Sequence, residues 1–201
     1  MTVTRKLGRS GIEVSALGMG CWAIGGPFSE KGTPLGWGEV DDDESVRAIQ
    51  RAVELGVNFF DTANVYGAGH SERVLARALE GRRKEVVIAT KFNGLFDEQA
   101  REITGADSTP AGIRKACQES LQRLNTDYID LYQLHSFDAL TPIEEMLSAI
   151  DNLTRAGKIR YFGVSNYSGW HLMKMLALAD QHSLPRPVTH QVYYTLPDRD
   201  F

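Results

Sequence analysis

Two hydrophobic periods alternate along this chain. Apolar runs of β type occur at VNFFD (57–61), EVVIATK (85–91), DLYQLH (130–135), IRYFGVSN (159–166) and PVTHQV (187–192). Between them lie segments whose apolar residues recur every three or four positions, the spacing of one helix face. Strand and helix in regular alternation predict parallel strands joined by crossover helices. Only the opening differs: Lys6 to Val14, with Gly8 and Gly11 near its turn, reads as a short hairpin.

Capping residues mark where the helices begin and end. The first follows Asp41, Asp42 and Asp43, buries Val46, Ile49 and Val53, and stops at Gly56. The second runs from Ser71 to Gly81. A third opens on Thr109 and Pro110, with Ile113, Cys117, Leu121 and Leu124 on one face. Thr141, Pro142 and Glu144 have the pattern of a capping box for the fourth, which closes at Gly157. The last spans about Ser168 to Gln181, ahead of the breaker Leu184-Pro185-Arg186-Pro187. Trp22 to Val40 is irregular, Gly-rich and longer than most connections. It reads either as a cover for a site or as a surface loop anchored by Trp22, Phe28 and Trp37.

Polar residues gather at the ends of the strands. Asp61, Lys91, His135, Ser165 with Asn166, and Gln191 each close an apolar run. In a parallel barrel those C-terminal ends share one rim, where such folds carry their chemistry. Each residue alone has a plainer role: Asp61 as a cap, Lys91 in solvent, His135 as a satisfied core histidine, Asn166 in a turn. Their convergence favours a site, because a Lys and an Asp near a barrel axis are costly unless paired and used. Tyr66, five residues past Asp61, completes the set. A phenol is a poor acid at neutral pH, and a neighbouring ammonium lowers its pKa; Lys91 is the candidate neighbour, held charged by Asp61. His135 would then orient a carbonyl oxygen against the tyrosine hydroxyl.

Composition narrows the function classes. A net charge of −4 over 201 residues, with scattered Lys and Arg, offers no field for nucleic acid. No apolar run approaches a membrane span and the N-terminus has no leader-like core, so a cytoplasmic protein without membrane association is expected. Cys21 and Cys117 form no C-x-x-C and read as free thiols, Cys21 as packing. The five histidines show no H-x-H or H-E-x-x-H, so no metal is expected; His182 and His190 read as solvated. Gly18-Met19-Gly20-Cys21-Trp22-Ala23 fits the loose G-x-G-x-x-G/A pattern. No helix can open inside those glycines, which sets aside a dinucleotide fingerprint. Neither Tyr-x-x-x-Lys nor G-x-x-x-x-G-K-[ST] occurs.

GVNFFDTANVYGAGHSE, VVIATKF, DYIDLYQLHSFD and GKIRYFGVSNY, with LGMGCW at the first strand and QVYY at the sixth, resemble the blocks of the aldo-keto reductase family in family order. The resemblance runs from about Leu7 to the end of the chain. It implies an α/β fold of the TIM-type (β/α)8 class, here incomplete, with about six parallel strands plus the short N-terminal hairpin in one domain over 1–201. It implies NADPH-dependent reduction of an aldehyde or ketone, with hydride from the nicotinamide and a proton from Tyr66. Asp61, Tyr66, Lys91 and His135 match the family's catalytic tetrad. Ser165, Asn166 and Gln191 match positions that hold the nicotinamide carboxamide. Gly20, Cys21 and Trp22 match a stretch lining cofactor and substrate; Trp22, Tyr66 and His135 would face the substrate, and the loop with Trp37 the pocket mouth.

The resemblance also implies missing parts. Family members run to eight strands; the seventh strand, whose aromatic stacks on the nicotinamide, and the basic loop and helix after the eighth, which clamp the adenosine phosphate of NADPH (NADP+), would lie past Phe201. Two open strand edges invite self-association. Beside a reductase acting on a small carbonyl compound, two other readings stand: a non-catalytic, cofactor-sensing or channel-type subunit on the same scaffold, and an inactive fragment lacking most of the cofactor clamp.

Overall fold

The computed structural model describes residues 3–197 and 199 of the chain. An antiparallel hairpin, β1 (Thr4–Lys6) and β2 (Glu13–Ser15), opens it, followed by β3 (Met19–Gly20), a 3-10 turn at Ala23–Gly25, and a second hairpin of β4 (Phe28–Glu30) and β5 (Thr33–Leu35). Then come α1 (Asp42–Glu54), β6 (Phe59–Asp61), α2 (His70–Ala78), β7 (Val87–Phe92), β8 (Gly94–Asp97), β9 (Glu102–Ala106), α3 (Pro110–Arg123), β10 (Ile129–Leu134), α4 (Ile143–Arg155), β11 (Ile159–Ser165), α5 (Gly169–Gln181) and β12 (Thr189–Gln191).

Six strands form one parallel sheet in the order β12-β11-β10-β7-β6-β3. Each crossover therefore moves one place along the sheet, and the right-handed twist of its strands curls it into part of a barrel. In β7 and β10 all six residues are buried, because one face meets the barrel interior and the other the helices, which is why those runs are mostly apolar. Ile88, Tyr132 and Phe162 pack outward against Ile49, Leu75, Ile113, Leu147 and Met175 of the helix layer. Register places Lys91, Gln133, Gly163 and Thr189 side by side across β7, β10, β11 and β12.

The opening hairpin seats on the strands' N-terminal ends. Ser15 N donates to Asn58 Oδ1 at 2.6 Å, and Tyr161 Oη donates to Ser10 O at 2.8 Å.

Three expectations are corrected. The stretch after Trp22 is not irregular: β4 and β5 pair, and β4 continues through β9 to β8 in a four-stranded sheet, so a second hairpin at 94–106 supplies partners that local sequence does not reveal. No capping box forms at α4. Pro142 is the N-cap and lacks a hydroxyl, while Thr141 Oγ1 donates to Asp138 Oδ2 at 2.7 Å. Helix α2 begins one residue early, with Gly69 as N-cap. By contrast, Asp41 Oδ1 accepts from the backbone N–H of Asp43 and Glu44, and Thr109 Oγ1 accepts from Gly112 N, as their sequence positions predict.

Candidate active site

Asp61 ends β6, Lys91 is next to last in β7, His135 follows β10, Ser165 ends β11 and Gln191 ends β12, so five parallel strands bring these groups to one rim. Lys91 is almost fully buried. Its Nζ donates to Asp61 Oδ2 at 2.8 Å, Thr62 O at 3.0 Å and Tyr66 Oη at 3.1 Å, which uses all three ammonium protons. Burial works against the charged form, but Asp61 and Tyr66 outweigh it, and the pKa of Lys91 stands above that of a free lysine.

The phenol differs from its expected electrostatics. Burial raises the pKa of Tyr66; the Lys91 charge opposes this, Asp61 adds to it, and the net shift is upward. Desolvation penalises the phenolate more than one ammonium, itself shared with a carboxylate, can recover. Tyr66 thus keeps its proton at neutral pH. Since Lys91 donates to the phenol oxygen, the O–H is left to point elsewhere.

Aromatic groups frame that hydroxyl. Trp22 stacks on the Tyr66 ring with centroids 5.6 Å apart and planes 15° apart, and His135 meets it edge-on at 5.8 Å. Burial, then the Lys91 charge, push the pKa of His135 down to about 3, so the imidazole is neutral at pH 7.

Glycine explains how the Tyr66 turn is held. A Cβ on Gly67, whose φ is 59°, would lie 1.9 Å from Gly25 O, so the two backbones approach closer than any side chain permits. Thr62 Oγ1 donates to Ser71 Oγ at 2.9 Å, which donates to Cys21 O at 2.7 Å, tying this turn to the end of β3 and the start of α2.

The remaining predicted residues are placed unequally. Gly20 ends β3 and is exposed, and Trp22 is exposed at the rim. The side chain of Cys21 is fully buried, its Sγ donating to Met19 O at 3.7 Å, with a pKa raised to about 12 by burial and then by Asp61. Ser165 is buried. Asn166 has φ 56° and its Nδ2 donates to His135 O at 2.9 Å, leaving Oδ1 to accept. Gln191 Nε2 donates to Asp61 Oδ2 at 3.1 Å. Trp37 is mostly exposed. His190 is half-buried, with its Nε2 buried and without a partner among the described residues, whereas His182 is exposed.

Sequence reasoning missed Gln133, which donates to Gln191 Oε1 at 3.0 Å and lies in the same polar cluster. The available signal was a lone amide between the apolar Tyr132 and Leu134. It also missed the buried Glu72, which accepts from Thr90 Oγ1 and Arg123 Nε at 2.6 Å each, a pair that braces α2 and α3 against β7.

A sequence profile described as the Aldo/keto reductase family matches residues 16–200. The chain belongs to the aldo/keto reductase family. Among curated relatives, it is 39% identical over 186 residues to aldo-keto reductase YhdN of Bacillus subtilis, covering 89% of this chain and 51% of that protein. It is 37% identical over 203 residues to the uncharacterized oxidoreductase YrpG of the same organism, covering 96% and 58%. Among solved structures, it superposes on an aldo-keto reductase from Bacillus halodurans in its holo form with TM-score 0.79 and 33% identity, covering 96% of this chain and 58% of that one. An aldo/keto reductase from Klebsiella pneumoniae in complex with NADP and acetate gives TM-score 0.79 at 29% identity, covering 99% and 61%. The chain thus spans about half the length of the curated relatives it matches. Relative to the (β/α)8 barrels of its aldo/keto reductase neighbours, the six-stranded sheet is a curled, incomplete barrel. No helix among the described residues is long and apolar enough to cross a membrane, and no cluster of three or more His, Cys, Asp or Glu residues there could hold a metal ion.

Proposed function

We propose that this chain carries the proton-donor half of an oxidoreductase that reduces an aldehyde or ketone to an alcohol with NADPH. The observation that carries the reading is the triple donation of Lys91 Nζ to Asp61, Thr62 and Tyr66. A buried ammonium aimed at a phenol oxygen has no role in packing, and it presets the orientation of that phenol.

The chain's own groups fit the nicotinamide end of the cofactor. A carboxamide presents one acceptor and two donors; the Ser165 hydroxyl can donate to the first, and Asn166 Oδ1 and Gln191 Oε1 can accept from the second. When bound, the cofactor supplies the hydride. Tyr66 donates its O–H to the carbonyl oxygen, which becomes far more basic than a phenolate as it turns into an alkoxide, so an upward-shifted phenol is still acid enough. The phenolate left behind keeps its hydrogen bond from Lys91, and Asp61 keeps Lys91 charged. His135, neutral, donates a ring N–H toward the same oxygen without competing as an acid. Trp22 covers one face of the tyrosine and limits water at the reacting position.

The test is Tyr66→Phe. Turnover of a panel of aldehydes and ketones should fall about a hundredfold or more, the usual scale of a lost general acid, while NADPH affinity from fluorescence titration stays nearly unchanged. Wild-type turnover in Tyr66→Phe ends the assignment. Slow, single-turnover oxidation of bound NADPH with no steady-state rate would favour the cofactor-sensing reading.

A further inference from the structure

Gln133 has no role in the chemistry above, yet its surroundings are built for it. It is 2% exposed, between the apolar Tyr132 and Leu134 near the C-terminal end of β10. A buried primary amide is costly unless both its ends are matched, and here they are. Nε2 donates to Gln191 Oε1 at 3.0 Å and reaches Asp61 Oδ1 at 3.4 Å, while Oε1 accepts from Thr189 Oγ1 at 3.2 Å.

The space for this crossing comes from Gly163, which sits between Gln133 and Thr189 in register. A Cβ there would lie 2.2 Å from Thr189 Oγ1 and 3.2 Å from both Cγ and Oε1 of Gln133. Any larger residue on β11 would therefore part the two side chains.

The consequence falls on Gln191. With its Oε1 receiving the Gln133 N–H, its Nε2 is the end that faces Asp61 Oδ2, at 3.1 Å. The opposite flip would set N–H against N–H and carbonyl against carboxylate. We propose that Gln133 is a positioning residue that fixes the flip of the Gln191 amide and, together with Gln191, steadies the Asp61 carboxylate behind Lys91. Its use, to orient the group that meets the nicotinamide carboxamide, rests on the function proposed above; the flip itself does not.

The experiment uses the full 201-residue chain and two variants, Gln133→Leu, which removes both polar ends, and Gln133→Glu, which keeps the acceptor for Thr189 but loses the donor. Far-ultraviolet circular dichroism checks folding, and the side-chain amide resonances of Gln191 are assigned from their loss in Gln191→Leu. The expected result is that both variants shift the Gln191 amide pair and speed its hydrogen exchange, and that NADPH affinity drops about three- to tenfold, the scale of one lost hydrogen bond. Gln191 resonances unmoved in both variants would overturn the proposal. If wild type binds no NADPH, the nicotinamide reading fails, and the amide resonances still decide whether Gln133 sets the flip. If Gln133→Leu does not fold, Gln133→Glu decides by the same resonances.

Discussion

Lys91 Nζ donates to Tyr66 Oη at 3.1 Å and to Asp61 Oδ2 at 2.8 Å, so the ammonium sits between a phenol it can orient and a carboxylate that keeps it charged. Lys91 and Tyr66 are 25 positions apart in the chain and are brought together by the parallel pairing of β6 and β7.

Replacing Lys91 with Met should damage both the site and the fold. Asp61 would lose its charged partner in a half-buried setting, a change that costs about 3 kcal/mol when one member of such a pair is removed. The Tyr66 phenol would lose the one charge that draws its pKa down and would ionise at still higher pH. Urea unfolding reads the first effect, and the alkaline ultraviolet difference against Tyr66→Phe reads the second.

Acid should destabilise the protein through His135. Its folded pKa is about 3 against 6.5 for a free imidazole, so between those values the unfolded chain binds the extra proton. Stability from this residue is complete above pH 6.5 and falls as pH drops, by roughly 1.4 kcal/mol per pH unit while the difference lasts. Unfolding free energies measured from pH 7 to pH 4 should slope downward, and His135→Asn should flatten the slope by about one proton.

Gly67→Ala should displace the turn that carries Tyr66. The new Cβ meets Gly25 O at 1.9 Å and the residue must keep φ 59°, so overpacking and backbone strain act together, costing about 1–3 kcal/mol. Thermal unfolding should show the loss, and carbonyl turnover should fall more than NADPH affinity, because the phenol moves and the polar groups at the ends of β11 and β12 do not.

Neither thiol should react in the native state. Burial lifts both Cys21 and Cys117 to about 12, leaving almost no thiolate at pH 8. Labelling with iodoacetamide should be negligible until denaturant is added; rapid modification of Cys21 in folded protein would show that the rim opens at β3.

Much of this architecture is legible in the sequence itself. Apolar runs too short for helices, separated by capped segments of helical period, determine a strand-helix alternation, and the side-chain oxygens of Asp41 and Thr109 mark helix starts because they satisfy backbone donors beside them. The polar ends of β6, β7, β10, β11 and β12 identified one rim, since parallel strands necessarily align their ends. Tertiary structure alone decided what depends on partners distant in sequence. The pairing of the 28–35 and 94–106 hairpins, the use of Thr141 by Asp138 instead of a helix cap, and the amide chain through Gln133 are all of this kind. So is the sign of the Tyr66 shift: residue types name the charges, but burial sets how heavily each one counts, and burial exists only after the chain has closed around the site.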